Sequence, residues 1–228
     1  AMQLGAFEYV TKPINPDEIL LSMRDALSKI SPATSPTTPE TQPSATSSQL
    51  PFVQGVSPSS QEVLKHIDLV APTNISVIVL GESGTGKEYV SRLIHQKSER
   101  GKKPFVAVDC GALSEELAAS ELFGHLKGSF TGALQDKEGQ FQAANGGTLF
   151  LDEIGNLSYE NQIKLLRAIQ ERTIRQVGST KDIKVDVRLI VATNENLEQA
   201  AKAGHFREDL YHRLNEFQIS VPSLRDRV

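Results

Sequence analysis

Apolar residues cluster in four short runs from residue 75 onward: "ISVIVL" (75–80), "PFVAVDC" (104–110), "GTLFLDE" (147–153) and "VDVRLIVATN" (185–194). Each is nearly continuous rather than alternating, as expected of strands buried on both faces. Between them the spacing changes to a helical period in "GKEYVSRLIHQKS", "SEELAASELFG" and "SYENQIKLLRAIQERT". Strands alternating with helices predict an α/β fold with a parallel sheet covered on both sides. One stretch fits neither period. "GHLKGSFTGALQD" (124–136) holds three glycines and an isolated aromatic, Phe130. An aromatic among small residues in a loop calls for a reason.

The first fifty residues have a different texture. "FEYVT" reads as a short strand, and Asn15, Pro16 and Glu18 form a helix-start signal. Ile19, Leu20, Met23, Leu27 and Ile30 then make an apolar stripe. A strand and a helix cannot build a core alone, so residues 1–30 read as part of something larger. Residues 31–52 begin with a Ser/Thr/Pro tract whose only charge is Glu40, and they read as a linker. Residues 53–228 form the main domain.

Composition narrows the classes. A net charge of −4 gives no bulk electrostatic reason for this chain to bind nucleic acid or a membrane. The single cysteine, Cys110, excludes an internal disulfide, and with no signal peptide visible the expected location is the cytoplasm. No apolar run approaches the roughly 20 residues that span a bilayer. The five histidines and the cysteine show no metal-ligand spacing.

The chemistry starts where the first strand ends. Gly81, Glu82, Ser83, Gly84, Thr85, Gly86 and Lys87 lie between a strand and a helix. Glycines let backbone N–H groups converge on phosphate, the helix start favours negative charge, and Lys87 can reach the outer phosphates. Glu88 stands where a magnesium-binding Ser or Thr is usual. Asp152 and Glu153 end the third strand, where ligands bind in open α/β sheets. Asp152 suits Mg²⁺, and Glu153 suits orienting or deprotonating water. Thr193 and Asn194 end the fourth strand and suit either a phosphate contact or a plain turn and helix cap. Arg207 and Arg213 in "FREDLYHRLN" are six apart, roughly 9 Å along a helix and on different faces. They suit phosphoryl-charge stabilisation or local pairing with Glu208 and Asp209.

"GESGTGKE", "ELFGHLKGSFTGA", "GGTLFLDEI" and "FREDLYHRLN", in that order, resemble the AAA+ central domain of sigma-54-dependent transcriptional activators. The resemblance implies a three-layer αβα P-loop NTPase that binds ATP on residues 81–87. Glu88 conforms to that family. Asp152 then serves Mg²⁺, Glu153 activates water, and Thr193 and Asn194 act as a nucleotide sensor. Arg207 and Arg213 match arginine fingers acting across subunits of a homo-oligomeric ring, usually a hexamer. Gly128, Ser129, Phe130, Thr131, Gly132 and Ala133 match the loop that contacts sigma-54, with Ser129 in place of Ala. Asp109 stands where many members have an Asn that holds the catalytic glutamate, and an Asp there could repel Glu153.

Residues 1–30 resemble the end of a response-regulator receiver domain, with Tyr9 at its switch aromatic, Lys12 at its phosphate-sensing lysine and Lys12–Pro13 a candidate cis peptide. The phosphoacceptor is absent, so a cognate sensor kinase would act on the longer parent. The family's helical lid and DNA-binding domain are also absent here, so DNA contact is expected only through that missing domain. Two rival readings remain: an AAA+ regulator acting on a partner other than sigma-54, and a non-hydrolysing nucleotide-binding oligomerisation module.

Overall fold

The computed structural model describes residues 57–223 and 225. The receiver-like piece (1–30) and the linker (31–52) lie outside the described residues. In chain order the elements are α1 (Pro58–Val70), β1 (Val77–Leu80), α2 (Lys87–Gln96), β2 (Phe105–Asp109), α3 (Glu115–Phe123), β3 (Gly124–His125), β4 (Lys137–Glu138) and α4 (Gln140–Ala143). There follow β5 (Thr148–Asp152), a 3-10 turn (Ile154–Asn156), α5 (Tyr159–Glu171), β6 (Thr173–Ile174), β7 (Ile183–Lys184), β8 (Arg188–Thr193), α6 (Leu197–Lys202), α7 (Glu208–Leu214) and β9 (Phe217–Ser220). Among the described residues no helix is long and apolar enough to cross a membrane.

The main sheet has five strands in the order β2-β5-β8-β1-β9, every neighbour parallel. Successive side chains point to opposite faces, which explains the continuous apolar runs. Val77, Val79, Phe150, Ile190 and Ala192 face one core, built with Val63, Ile67 and Val70 of α1 and Val90 and Ile94 of α2. Ile78, Leu149, Leu151, Leu189 and Val191 face the other, built with Leu165 and Leu166 of α5 and Leu210 and Leu214 of α7. The result is a helix–sheet–helix sandwich, the three-layer αβα arrangement expected from the sequence.

The four strands read from sequence are present, each trimmed by one to three residues at its ends. α1 was not read, although Ser57 caps it by accepting a hydrogen bond from the Ser60 N–H and Pro58 opens it. Arg188, only 2% exposed, closes its other end by donating to the carbonyls of Ala71 (2.8 Å) and Val70 (2.9 Å).

Register sets the site. Leu80 pairs with Thr193 and Asp109 with Asp152, so the carboxyl ends of β1, β8, β5 and β2 form one polar edge.

Candidate functional site

The loop after β1 is tied to that edge by the Gly81 N–H, which donates to the Thr193 carbonyl at 3.2 Å. Gly84 (φ 79°) and Gly86 (φ 86°) take left-handed backbone that a Cβ would strain, and the second directly precedes α2. The Thr85 hydroxyl donates to the Glu82 carbonyl at 2.8 Å, folding the loop into a cradle. Lys87 is buried, and its ammonium donates to the carbonyls of Gly81 (3.1 Å) and Glu82 (3.2 Å) at the rim. Glu88 instead points along α2, where it accepts from Arg92 at 2.9 and 2.7 Å. Ser83 receives a long hydrogen bond from the Asn194 amide, 3.4 Å, which brings the β8 end onto the loop. The helix cap considered for this segment belongs to Asn196, whose side chain accepts from the Gln199 N–H, rather than to Asn194. The Thr193 hydroxyl accepts from the Glu195 N–H at 3.0 Å.

The acidic tip stands on the same edge at the end of β5, with β8 between it and β1. Asp152 Oδ1 accepts from the Glu153 N–H at 3.0 Å. Glu153 has φ 51° and ψ 46°, an uncommon conformation for a side chain of this size and one that gathers at functional sites. Its Oε2 accepts from Asn156 Nδ2 at 3.0 Å. Asp109 ends β2 beside the Glu153 carboxylate: a Cβ at Gly111 would lie 3.3 Å from Asp109 Oδ1 and 2.2 Å from Glu153 Oε2. Its Oδ1 accepts from the N–H groups of Gly111 (2.9 Å) and Ala112 (3.3 Å), and these donors offset its charge. Burial, and then the charges of Asp109, Asp152 and Glu153, push the Cys110 thiol up to about 12, so it stays protonated inside this negative edge.

The two arginines separate. Arg207 precedes α7 rather than lying within it. Its guanidinium forks onto Asp209 at 3.0 and 2.7 Å and lies 5.0 Å from the Tyr159 ring centroid. The Asp209 hydrogen bond raises the guanidinium's pKa. It opens on a hollow of about 560 Å³ shared with Gly204, Phe206 and His212. Arg213 lines a different recess, with Asn74, Arg172 and Glu216, at the amino ends of the strands. Among the described residues neither arginine is bonded to the P-loop or to the acidic tip.

The segment that fitted no period forms a projecting loop. β3 and β4 pair antiparallel at its base, and β6 and β7 make a second small hairpin. Both hairpins went unread because two-residue strands carry no periodic signal. The Leu126 N–H donates to the Val177 carbonyl (3.0 Å) and the Val177 N–H to the Gly124 carbonyl (2.9 Å), joining loop and hairpin. Gly128 (φ 79°) and Gly132 (φ 104°) make the bends, and the Gly128 N–H donates to the Ala133 carbonyl at 2.8 Å. At the tip Phe130 is 38% and Leu134 83% exposed, and Phe130 rests edge-on against His125, 5.0 Å between centroids. Ser129 packs against Gly178, where a Cβ would come within 2.6 Å of the Ser129 Cβ. Its buried hydroxyl has no hydrogen-bond partner among the described residues.

Comparison with known proteins matches this geometry to a family. The family model described as the sigma-54 interaction domain matches residues 53–220. The transcriptional regulatory protein ZraR of Escherichia coli (strain K12) is 50% identical over 227 residues, which is 100% of this chain and 50% of that protein. The sigma54-dependent transcriptional regulator SfnR of Pseudomonas fluorescens (strain Pf0-1) is 57% identical over 170 residues, 75% of this chain and 46% of that protein. The crystal structure of NtrX from Brucella abortus in complex with ATP superposes with a TM-score of 0.72 at 33% identity, over 99% of this chain and 50% of that one. The chain thus spans about half the length of the curated relatives it matches.

Proposed function

Because this chain belongs to the sigma-54 interaction domain family, we propose that it is the ATP-hydrolysing core of a regulator that remodels sigma-54 RNA polymerase. One observation carries the reading: the Gly81–Lys87 cradle, the Asp152–Glu153 tip and Asn194 meet on one sheet edge, while an apolar loop tip projects elsewhere. ATP lies with its phosphates on residues 81–87, and Lys87 leaves its carbonyl partners to meet the outer phosphates. Glu153 takes a proton from, or orients, the attacking water, and Asn194 reads the γ-phosphate from β8. A neighbouring subunit of a ring, hexameric in its active form, supplies Arg207, which leaves Asp209 of its own chain to do so, with Arg213 as the second finger.

Magnesium fits this donor set. It usually binds one or two carboxylates plus phosphate and water, and Asp152 keeps its Oδ2 without a partner among the described residues. Asp152 would hold it, and bound there it would neutralise phosphate charge.

The loop Gly128–Ala133 is the sigma-54 contact. An aromatic held half out of water is costly alone and useful against a partner. The longer protein is a cytoplasmic two-component response regulator, phosphorylated by a sensor kinase through the receiver to which residues 1–30 belong and binding DNA through a further domain. The test is co-elution of the full chain with purified sigma-54 in ADP–aluminium fluoride. Phe130→Ala is expected to keep ATP turnover within about 3-fold and to weaken sigma-54 capture about 30-fold or more, the scale of a 2 kcal/mol interface anchor. Rings that hydrolyse ATP yet never retain sigma-54 would leave the ATPase reading standing and remove the partner.

A further inference from the structure

We propose that Asn156 is the positioning residue for the Glu153 carboxylate, in a cluster where Asp109 cannot serve. The inference rests on the reading of Glu153 as the group that handles water, and it starts from the backbone. The left-handed turn at Glu153 launches the 3-10 turn Ile154–Asn156, closed by the Asn156 N–H donating to the Glu153 carbonyl at 3.0 Å. That reversal returns the Asn156 side chain to its own turn's first residue. There its Nδ2 donates to Glu153 Oε2 at 3.0 Å.

The carboxylate is also seated by a missing side chain. A Cβ at Gly111 would stand 2.2 Å from Glu153 Oε2, 3.0 Å from Asn156 Nδ2 and 3.3 Å from Asp109 Oδ1. Three polar groups therefore border one point that glycine leaves open. A carboxylate at neutral pH only accepts hydrogen bonds, so Asp109 has nothing to donate to Glu153. Its near oxygen is already taken by the N–H groups of Gly111 and Ala112. The Asn156 amide presents its N–H side to Oε2 because its carbonyl would meet a like lone pair. With Oε2 anchored, Oε1 is the oxygen left to face water, and one torsion of a long side chain is fixed before substrate arrives.

The experiment compares steady-state ATPase rates, fluorescent-ATP affinity and melting temperature in the full chain. The variants are Asn156→Ala, Asn156→Ser, Asp109→Asn and the double Asn156→Ala/Asp109→Asn. Misplacing a catalytic group costs up to about 100-fold, so kcat should fall about 10- to 100-fold in Asn156→Ala and Asn156→Ser, with KM and ATP affinity within about 2-fold. In the double variant the amide returns from the other side of the Gly111 gap, and kcat should recover about 10-fold over Asn156→Ala. Recovery from a second position is something a purely structural role would not give. A kcat within 3-fold of wild type in Asn156→Ala overturns the proposal. So does a loss that Asp109→Asn does not rescue, or one matched by lost ATP affinity or a lowered melting temperature. A wild-type chain that binds ATP but turns none over overturns the ATPase reading together with this one, whereas active wild type and active Asn156→Ala remove this one alone.

Discussion

His95 is kept neutral by where it sits. It is buried on α2, its Nδ1 lies 2.9 Å from the Thr148 hydroxyl, and Phe105 covers its ring at 5.2 Å. Burial, and then the positive charges of Arg188 and Arg92, hold its pKa below the usual 6.5, against a raising hydrogen bond to the Lys103 backbone. In the unfolded chain the imidazole takes its proton at the ordinary value, so the unfolded state binds more protons as pH falls through about 6.5. The stability His95 confers is therefore complete above that pH and is lost progressively below it, down to the folded value. Urea midpoints measured from pH 7.5 to pH 5 should fall, and His95→Gln should flatten that stretch of the profile even if it lowers the whole curve. Equal slopes in both proteins would assign the acid sensitivity to other groups. At Ser129 the buried hydroxyl has no partner among the described residues and adds nothing to its loop, and an alanine would keep the same Cβ contact with Gly178.

At the scale of elements, α1 is held by a residue 118 positions away in sequence. Arg188 sits at the start of β8, fully inside, with its guanidinium on the last carbonyls of α1. Burial, and then the charge of Arg100, lower its pKa to about 10, still charged at neutral pH, and the negative end of the helix is a fitting counter-pole. Arg188→Leu keeps the bulk but leaves the Ala71 carbonyl without its donor, while the Val70 carbonyl keeps the Thr73 N–H and hydroxyl. A loss of about 2–4 kcal/mol is expected, together with faster amide exchange along α1 than along α2. This link was illegible in the sequence, where Arg188 reads as a polar intrusion in "VDVRLIVATN". Strands β1, β2, β5 and β8 were legible because their apolar runs are continuous, and three helices because their stripes are. β9 was not, since "FQIS" is only four residues long and carries no continuous apolar run. Among the site residues, the Gly81–Lys87 loop and the Asp152–Glu153 tip could be placed from spacing, since both sit at strand ends. Asn156 could not, because its role depends on the backbone reversal at Glu153 rather than on any spacing.

At the scale of the whole molecule, the proposed ring would build each site from two chains. The cradle, the acidic tip and Asn194 gather on one edge, yet Arg207 stands apart, paired with Asp209 and stacked on Tyr159. If ring assembly brings that guanidinium to the next subunit's ATP, each active site draws on two chains, and two different dead chains can repair each other. On the proposed roles, Glu153→Ala removes the water-handling carboxylate and leaves the finger intact, while Arg207→Ala does the reverse. Each should be inactive alone. Mixed one to one and allowed to reassemble, they should place an intact Glu153 against an intact Arg207 at about a quarter of all interfaces, by random pairing in a closed ring. The mixture should therefore recover about a quarter of the wild-type rate, rising and falling with the mixing ratio as the product of the two fractions. If the mixture stays as inactive as its components while rings form normally, Arg207 acts within its own chain, and α7 must move toward the P-loop to bring it there.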